Sequence, residues 1–165
     1  MTTSISLLDG NAPIGDDELR TLLERCYVDE GFSSRASAAQ MFVPAAVRAR
    51  GEILHARDPE SGQLLSMLIL VLAPSPACRF ATSPDEAELH LLATAPEGRG
   101  KGLGQALVEA ALEKARALGK RQMLLWTQPP MLAAQRLYAR TGFNRAPERD
   151  FARDGKEFLF YVKAL

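Results

Sequence analysis

A chain of 165 residues with 47% hydrophobic and 24% charged residues has the composition of one ordinary soluble domain with a real apolar core, and is too short for two comfortable ones. Its 20 basic and 20 acidic residues cancel to a formal net charge of zero, which removes the general pull toward nucleic acid or an anionic membrane, so any anion site must be local. Cys26 and Cys78 lie far apart without metal-like spacing, no apolar run reaches the ~18 residues of a spanning helix, and MTTSISLLDG lacks a leader pattern; a reducing, cytoplasmic setting is the expectation.

Taken in chain order, residues 4–8 predict a short strand, followed by the turn-like DGNAPIGDD. A helix is expected over ELRTLLERCYVDE, where Leu19, Leu22, Leu23 and Cys26 recur at helical spacing behind Asp16, Asp17 and Glu18, carboxylates that suit a helix N-terminus. The next twenty residues, from Gly31 to Arg50, predict a short helix, a break at Pro44 and a loop. EILHARD and GQLLSMLILVLA, joined by the turn-forming DPESG, predict adjacent antiparallel strands, the second buried on both faces. PSPACRFATSPD, rich in proline and hydroxyls, reads as a mobile loop.

AELHLLAT, a helix from about Gln105 to Leu118 closed by Gly119, and the strand QMLLWT form a βαβ unit, whose strands should be parallel. Pro129 and Pro130 suit the first turn of the helix MLAAQRLYAR, which Thr141-Gly142 ends. The remainder reads as a closing hairpin cornered at Asp154-Gly155.

Between AELHLLAT and its helix stands EGRGKGLG, Glu97 to Gly104. Glycines at a strand-to-helix turn let successive N–H groups point outward together at the positive end of a helix dipole, and the natural ligand is a phosphate. Arg99 and Lys101 add local positive charge. The spacing fits neither a P-loop nor a dinucleotide fingerprint, which argues against a nucleotide hydrolase or kinase. It does fit R-x-x-G-x-G, through Arg99, Gly102 and Gly104. AAQRLYARTGF adds a late motif of Ala134, Leu137, Tyr138, Gly142 and Phe143.

On these two motifs the chain resembles the GCN5-related N-acetyltransferase superfamily, most firmly from Glu86 to Phe143. The resemblance implies an α/β (α+β) fold as a single domain over 1–165: a mixed, mostly antiparallel sheet with a splayed parallel strand pair and helices on both faces. It implies acetyl-CoA as acyl donor without a metal, and direct transfer of the acetyl group to an amine. The implied cofactor-binding residues are Leu92, Ala93, Thr94, Arg99, Gly100, Lys101, Gly102, Leu103, Gly104 and Gln105, with the pantetheine arm paired against Leu92 to Thr94 and the Leu92 N–H polarising the thioester. Tyr138 is the implied general acid for the departing thiolate. Met131 stands where many members carry an asparagine that touches the pantetheine.

Glu88 is the candidate base, since period-2 alternation sets it on one face with His90 and Leu92 and some members use a glutamate there. A solvated or ion-paired carboxylate is the alternative, and His90 could act as relay or substitute. Trp126 is expected in the core. Tyr27, Phe32, Arg35 and the RAPERD segment lie where the family usually forms its acceptor pocket. A small-molecule amine is the expected acceptor, with no nucleic acid or membrane partner, for a monomer or homodimer. The rival readings are a protein amine as acceptor and a non-catalytic acyl-CoA sensor.

Overall fold

In a computed structural model of the chain, residues 7, 8 and 13–165 are described. Residues 4–6 of the expected first strand and residues 9–12 of the turn after it lie outside them. The chain forms two compact units, Met1–Leu70 with His90–Leu107, and Val71–Leu89 with Val108–Leu165.

In the first unit, β1 (Leu7–Leu8) pairs antiparallel with β2 (Glu52–Arg57), and β2 with β3 (Leu64–Leu72), from Glu52↔Leu70 to Arg57↔Leu64. Every β3 residue from Leu64 to Val71 is buried, as a run that is apolar but for Ser66 requires. Helix α1 (Asp16–Leu23) opens after Gly15, whose N–H donates to the Glu18 carboxylate at 3.0 Å, and buries Leu19, Leu22 and Leu23. The same carboxylate pairs with Arg57 of β2, and the guanidinium beside it holds Glu18 below the usual carboxylate range.

The helical pattern runs on to Val28, but the segment Glu24–Val28 is a π-helical turn rather than more α-helix. Two short helices follow: α2 (Arg35–Met41), capped by the Ser34 hydroxyl at 3.1 Å from the Ser37 N–H, and α3 (Pro44–Arg48). Pro44 therefore opens a helix at its first position, where the missing N–H costs nothing, instead of leading into a loop.

The strand β4 (Glu86–Thr94) belongs by its first half to the second unit. There it pairs parallel with β5 (Gln122–Thr127), from Glu86↔Gln122 to Glu88↔Leu124, and the intervening α4 (Leu103–Ala117) is the crossover helix of the βαβ unit. Helix α5 (Leu132–Arg140) follows β5. Pro129 and Pro130 precede its N-cap, Met131, and so lie outside its first turn. The carbonyl of Pro129 is taken by the Gln135 side chain at 2.8 Å.

Three further strands complete the second unit: β6 (Asn144–Arg145), β7 (Phe151–Arg153) and β8 (Lys156–Ala164), with β5, β6 and β7 all antiparallel to β8. Asp154 and Gly155, at φ 53° and 75°, form the tight corner between β7 and β8. Among the described pairings β4–β5 is parallel and those of β1–β2, β2–β3 and β8 with β5, β6 and β7 are antiparallel, the mixed, mostly antiparallel α/β architecture expected.

Candidate functional site

The two units hold different parts of the expected machinery. In the first, β4 is irregular at Leu91, whose φ of 51° is a left-handed conformation that a residue with a Cβ rarely adopts. The kink breaks the period-2 alternation between His90 and Leu92, so the single face expected for Glu88, His90 and Leu92 does not hold. Beyond it the strand is regular again: the Ala95 N–H donates to Leu65 O at 2.7 Å and the Ser66 hydroxyl to Ala93 O at 3.0 Å, both on the β3 side.

The carbonyls of Leu92 and Thr94 are engaged by the π-helical turn and the loop. Tyr27 Oη donates to Leu92 O at 2.8 Å, Cys26 Sγ to Thr94 O at 3.4 Å and Arg99 Nε to Thr94 O at 3.2 Å. Burial pushes the Cys26 thiol up, so it stays protonated and able to donate. Arg25 bonds both carboxylate oxygens of Glu97 at 3.0 Å, and Arg99 pairs with Glu30 at 2.5 Å.

The glycine-rich stretch divides its work. A Cβ on Gly98 would meet Leu103 Cδ1 at 3.0 Å and Leu65 Cβ at 3.2 Å, so close packing favours glycine there. Gly100 and Gly102 instead have open space around them but φ of 74° and 75°, which demand glycine for the backbone's sake. α4 starts at Leu103, and its first i→i−4 bond is Ala106 N–H to Gly102 O at 3.0 Å. The N–H groups of Leu103, Gly104 and Gln105 come before that bond, at the positive end of the helix dipole. With exposed Lys101 beside them, this donor set suits a diphosphate. The Arg99 side chain is turned to Glu30 and Thr94 instead.

In the second unit Tyr138 lies on the inner side of α5, 6% exposed, its ring 5.8 Å from that of Phe143 and 5.7 Å from that of Tyr161. Burial, and after it the neighbouring Tyr161, push its phenol well above the ordinary tyrosine value, so it carries its proton at neutral pH. Met131 Sδ accepts from the Thr127 hydroxyl at 3.2 Å.

Glu88 is wholly buried, and its carboxylate accepts three successive backbone N–H groups: Arg79 to both oxygens at 3.0 Å, Phe80 at 2.7 Å and Ala81 at 2.8 Å. Glu86 takes the N–H groups of Thr82 and Ser83 at 2.7 and 3.2 Å, and Lys120 Nζ donates to the carbonyls of Ala73 and Pro84 at 2.6 Å. The loop expected to be mobile is therefore tied down along its length by buried or half-buried charges. His90 is buried as well.

Trp126, half-buried, packs against the core in an aromatic cluster with Phe80 at 4.9 Å and Phe160 at 6.2 Å between ring centres. In the RAPERD segment Arg145 bonds both oxygens of Asp150 at 2.7 Å, and Asp150 accepts the Phe160 N–H at 2.7 Å. That segment braces β8. Sequence reasoning missed the Tyr27 and Cys26 contacts with β4 and the triple N–H clasp of Glu88. The apolar spacing of α1 continues unbroken into the π turn, and nothing in it marks the change of register.

A family model described as acetyltransferase (GNAT) family matches residues 16–143. A mycothiol acetyltransferase from Geodermatophilus obscurus is 43% identical over 58 residues, which are 35% of this chain and 19% of that protein; the chain spans about a fifth of the length of the curated relatives it matches. Among solved structures, a GNAT family acetyltransferase from Staphylococcus aureus superposes with a TM-score of 0.74 at 14% identity, covering 98% of this chain and 99% of that one. A GNAT family acetyltransferase from Brucella melitensis, in complex with acetyl-CoA, gives a TM-score of 0.66 at 18% identity over 99% of this chain and 89% of that one.

Proposed function

Because the chain belongs to the acetyltransferase (GNAT) family, we propose that it is an N-acetyltransferase that moves the acetyl group of acetyl-CoA directly to a primary amine of a small molecule, as one catalytic domain over 1–165. The observation that carries this reading is the turn Arg99–Gly104. Two left-handed glycines there deliver the chain to a helix N-terminus whose first-turn amides suit a diphosphate. The small-molecule acceptor draws support from the relatives named mycothiol acetyltransferases.

Acetyl-CoA supplies the activated acyl carbon. In this reading Gly100, Lys101, Gly102, Leu103, Gly104 and Gln105 hold its diphosphate, and the β4 backbone from Leu92 through Ala93 to Thr94 pairs with its pantetheine arm. The Leu92 N–H donates to the thioester oxygen as negative charge develops there. Arg99 contributes by shaping the loop through Glu30 and Thr94 O, and not by its own charge on the ligand. Tyr138, protonated at neutral pH, returns a proton to the departing sulfur.

The amine must lose a proton as it is acylated. The expected base, Glu88, is wholly covered and already accepts three backbone N–H groups, an arrangement that supports anchoring of the loop better than proton abstraction. We assign the proton's first step to water or His90.

The test is incubation with acetyl-CoA and a panel of small amines, following thiol release, alongside calorimetry with CoA. Thiol release that depends on one amine class supports the enzyme. Tight CoA binding without release above hydrolysis would convert the reading to an acyl-CoA sensor, and absence of CoA binding would overturn both.

A further inference from the structure

Four residues of the segment that follows α1 reach the same stretch of the first unit: Arg25 to Glu97, Cys26 to Thr94, Tyr27 to Leu92 and Glu30 to Arg99. These residues lie in or directly after the π-helical turn Glu24–Val28, which is wound more loosely than the α-helix before it.

What Tyr27 reaches is an edge. In a strand the N–H and C=O of one residue share a side and neighbours alternate. Ala93 and Ala95 face β3, so the backbone groups of Leu92 and Thr94 face the opposite way, along the edge assigned above to the pantetheine arm. We propose that Tyr27 is a positioning residue for the acyl donor: its hydroxyl holds the Leu92 carbonyl and so the orientation of the residue directly after the left-handed Leu91, whose N–H, on the same side of the strand, stays aimed along that edge.

A carbonyl oxygen has two lone pairs, and the Tyr27 bond leaves one for an incoming N–H. The ring itself is seated independently, 5.6 Å from that of Phe42, so removal of the hydroxyl alone leaves the packing in place. The family resemblance points Tyr27 toward the acceptor; the geometry gives its hydroxyl to the donor side. This inference rests on the acetyl-CoA reading.

The experiment compares the full chain with Tyr27→Phe by calorimetry, using CoA and a truncated probe that keeps the phosphorylated adenosine diphosphate but lacks the pantetheine arm. The expected result is CoA binding weakened about five-fold, as for one lost hydrogen bond, with the truncated probe unaffected. Amide hydrogen exchange at Leu92 to Thr94 should quicken while the melting temperature holds. CoA affinity unchanged in Tyr27→Phe, or equal losses for both probes, would overturn the proposal while leaving the acetyl-CoA reading intact. A wild-type chain that binds neither probe overturns both.

Discussion

In the proposed reading the first unit meets its ligand through its backbone, whereas the second keeps the polar side chains of Glu88 and Tyr138 inside. Around Leu92, Thr94 and the start of α4 the groups assigned to the ligand are peptide groups, and side chains such as Tyr27, Cys26 and Arg99 hold that backbone in place. Around Glu88 and Tyr138 the polar groups are side chains, buried and defined by what surrounds them. Backbone recognition depends on dihedral angles, and so on where glycine stands. Side-chain chemistry depends on burial, which local sequence does not state.

The sharpest test of this contrast is Glu88→Ala. It strands three N–H groups in a half-buried loop and should lower stability by about 3 kcal/mol in denaturant titration. Glu88→Gln, which keeps an acceptor, should cost roughly half of that and leave turnover close to wild type per folded molecule. A Glu88→Gln protein of full stability but greatly reduced turnover would restore the carboxylate as base.

Next, Tyr138→Phe should lower kcat by ~10²-fold with little change in CoA affinity, measured by steady-state kinetics and calorimetry. In the first unit, Gly102→Val forces a β-branched residue to a φ of 75° and should weaken CoA binding about tenfold or more in a folded protein. Lys101→Ala leaves the backbone untouched and should cost less. The reverse order would mean that charge, not main-chain geometry, governs the loop.

The smallest effect concerns His55, wholly buried in β2, where burial and after it Arg57 pull the imidazole below its ordinary value of 6.5. The unfolded chain then binds the proton more readily than the folded one. Stability contributed by neutral His55 is present above pH 6.5 and falls as the pH drops below it, by at most about 1.4 kcal/mol per pH unit. His55→Leu should flatten that slope in melts from neutral to mildly acidic pH; an unchanged slope would assign it to other groups.

The same contrast explains what could be read in advance. The order of strands and helices, the parallel β4–β5 pair and the Asp154-Gly155 corner follow from periodicity and turn chemistry, which are local. The glycine loop was legible because a left-handed φ almost requires that residue. Leu91 adopts one without glycine, so the kink that separates His90 from Leu92 carried no mark and the shared face for Glu88 failed with it. The Pro44 helix and the displaced Pro129–Pro130 pair show the same limit: proline permits both a helix start and the turn before it, and tertiary contacts choose. Glu88 read as a candidate base or a solvated carboxylate because its three partners lie seven to nine residues earlier, in a loop whose prolines and serines suggested mobility.

Leu91 also bears on how sharply β4 is bent. A glycine in that place would reach the same dihedral with ease, yet it could leave just as readily, because most of the surrounding map is open to it. For leucine the left-handed basin is small and steep-walled, with few neighbouring conformations on offer. An unfavourable residue thus makes for a stiffer hinge point than a permissive one, and the peptides that follow it inherit a direction that thermal motion does little to blur.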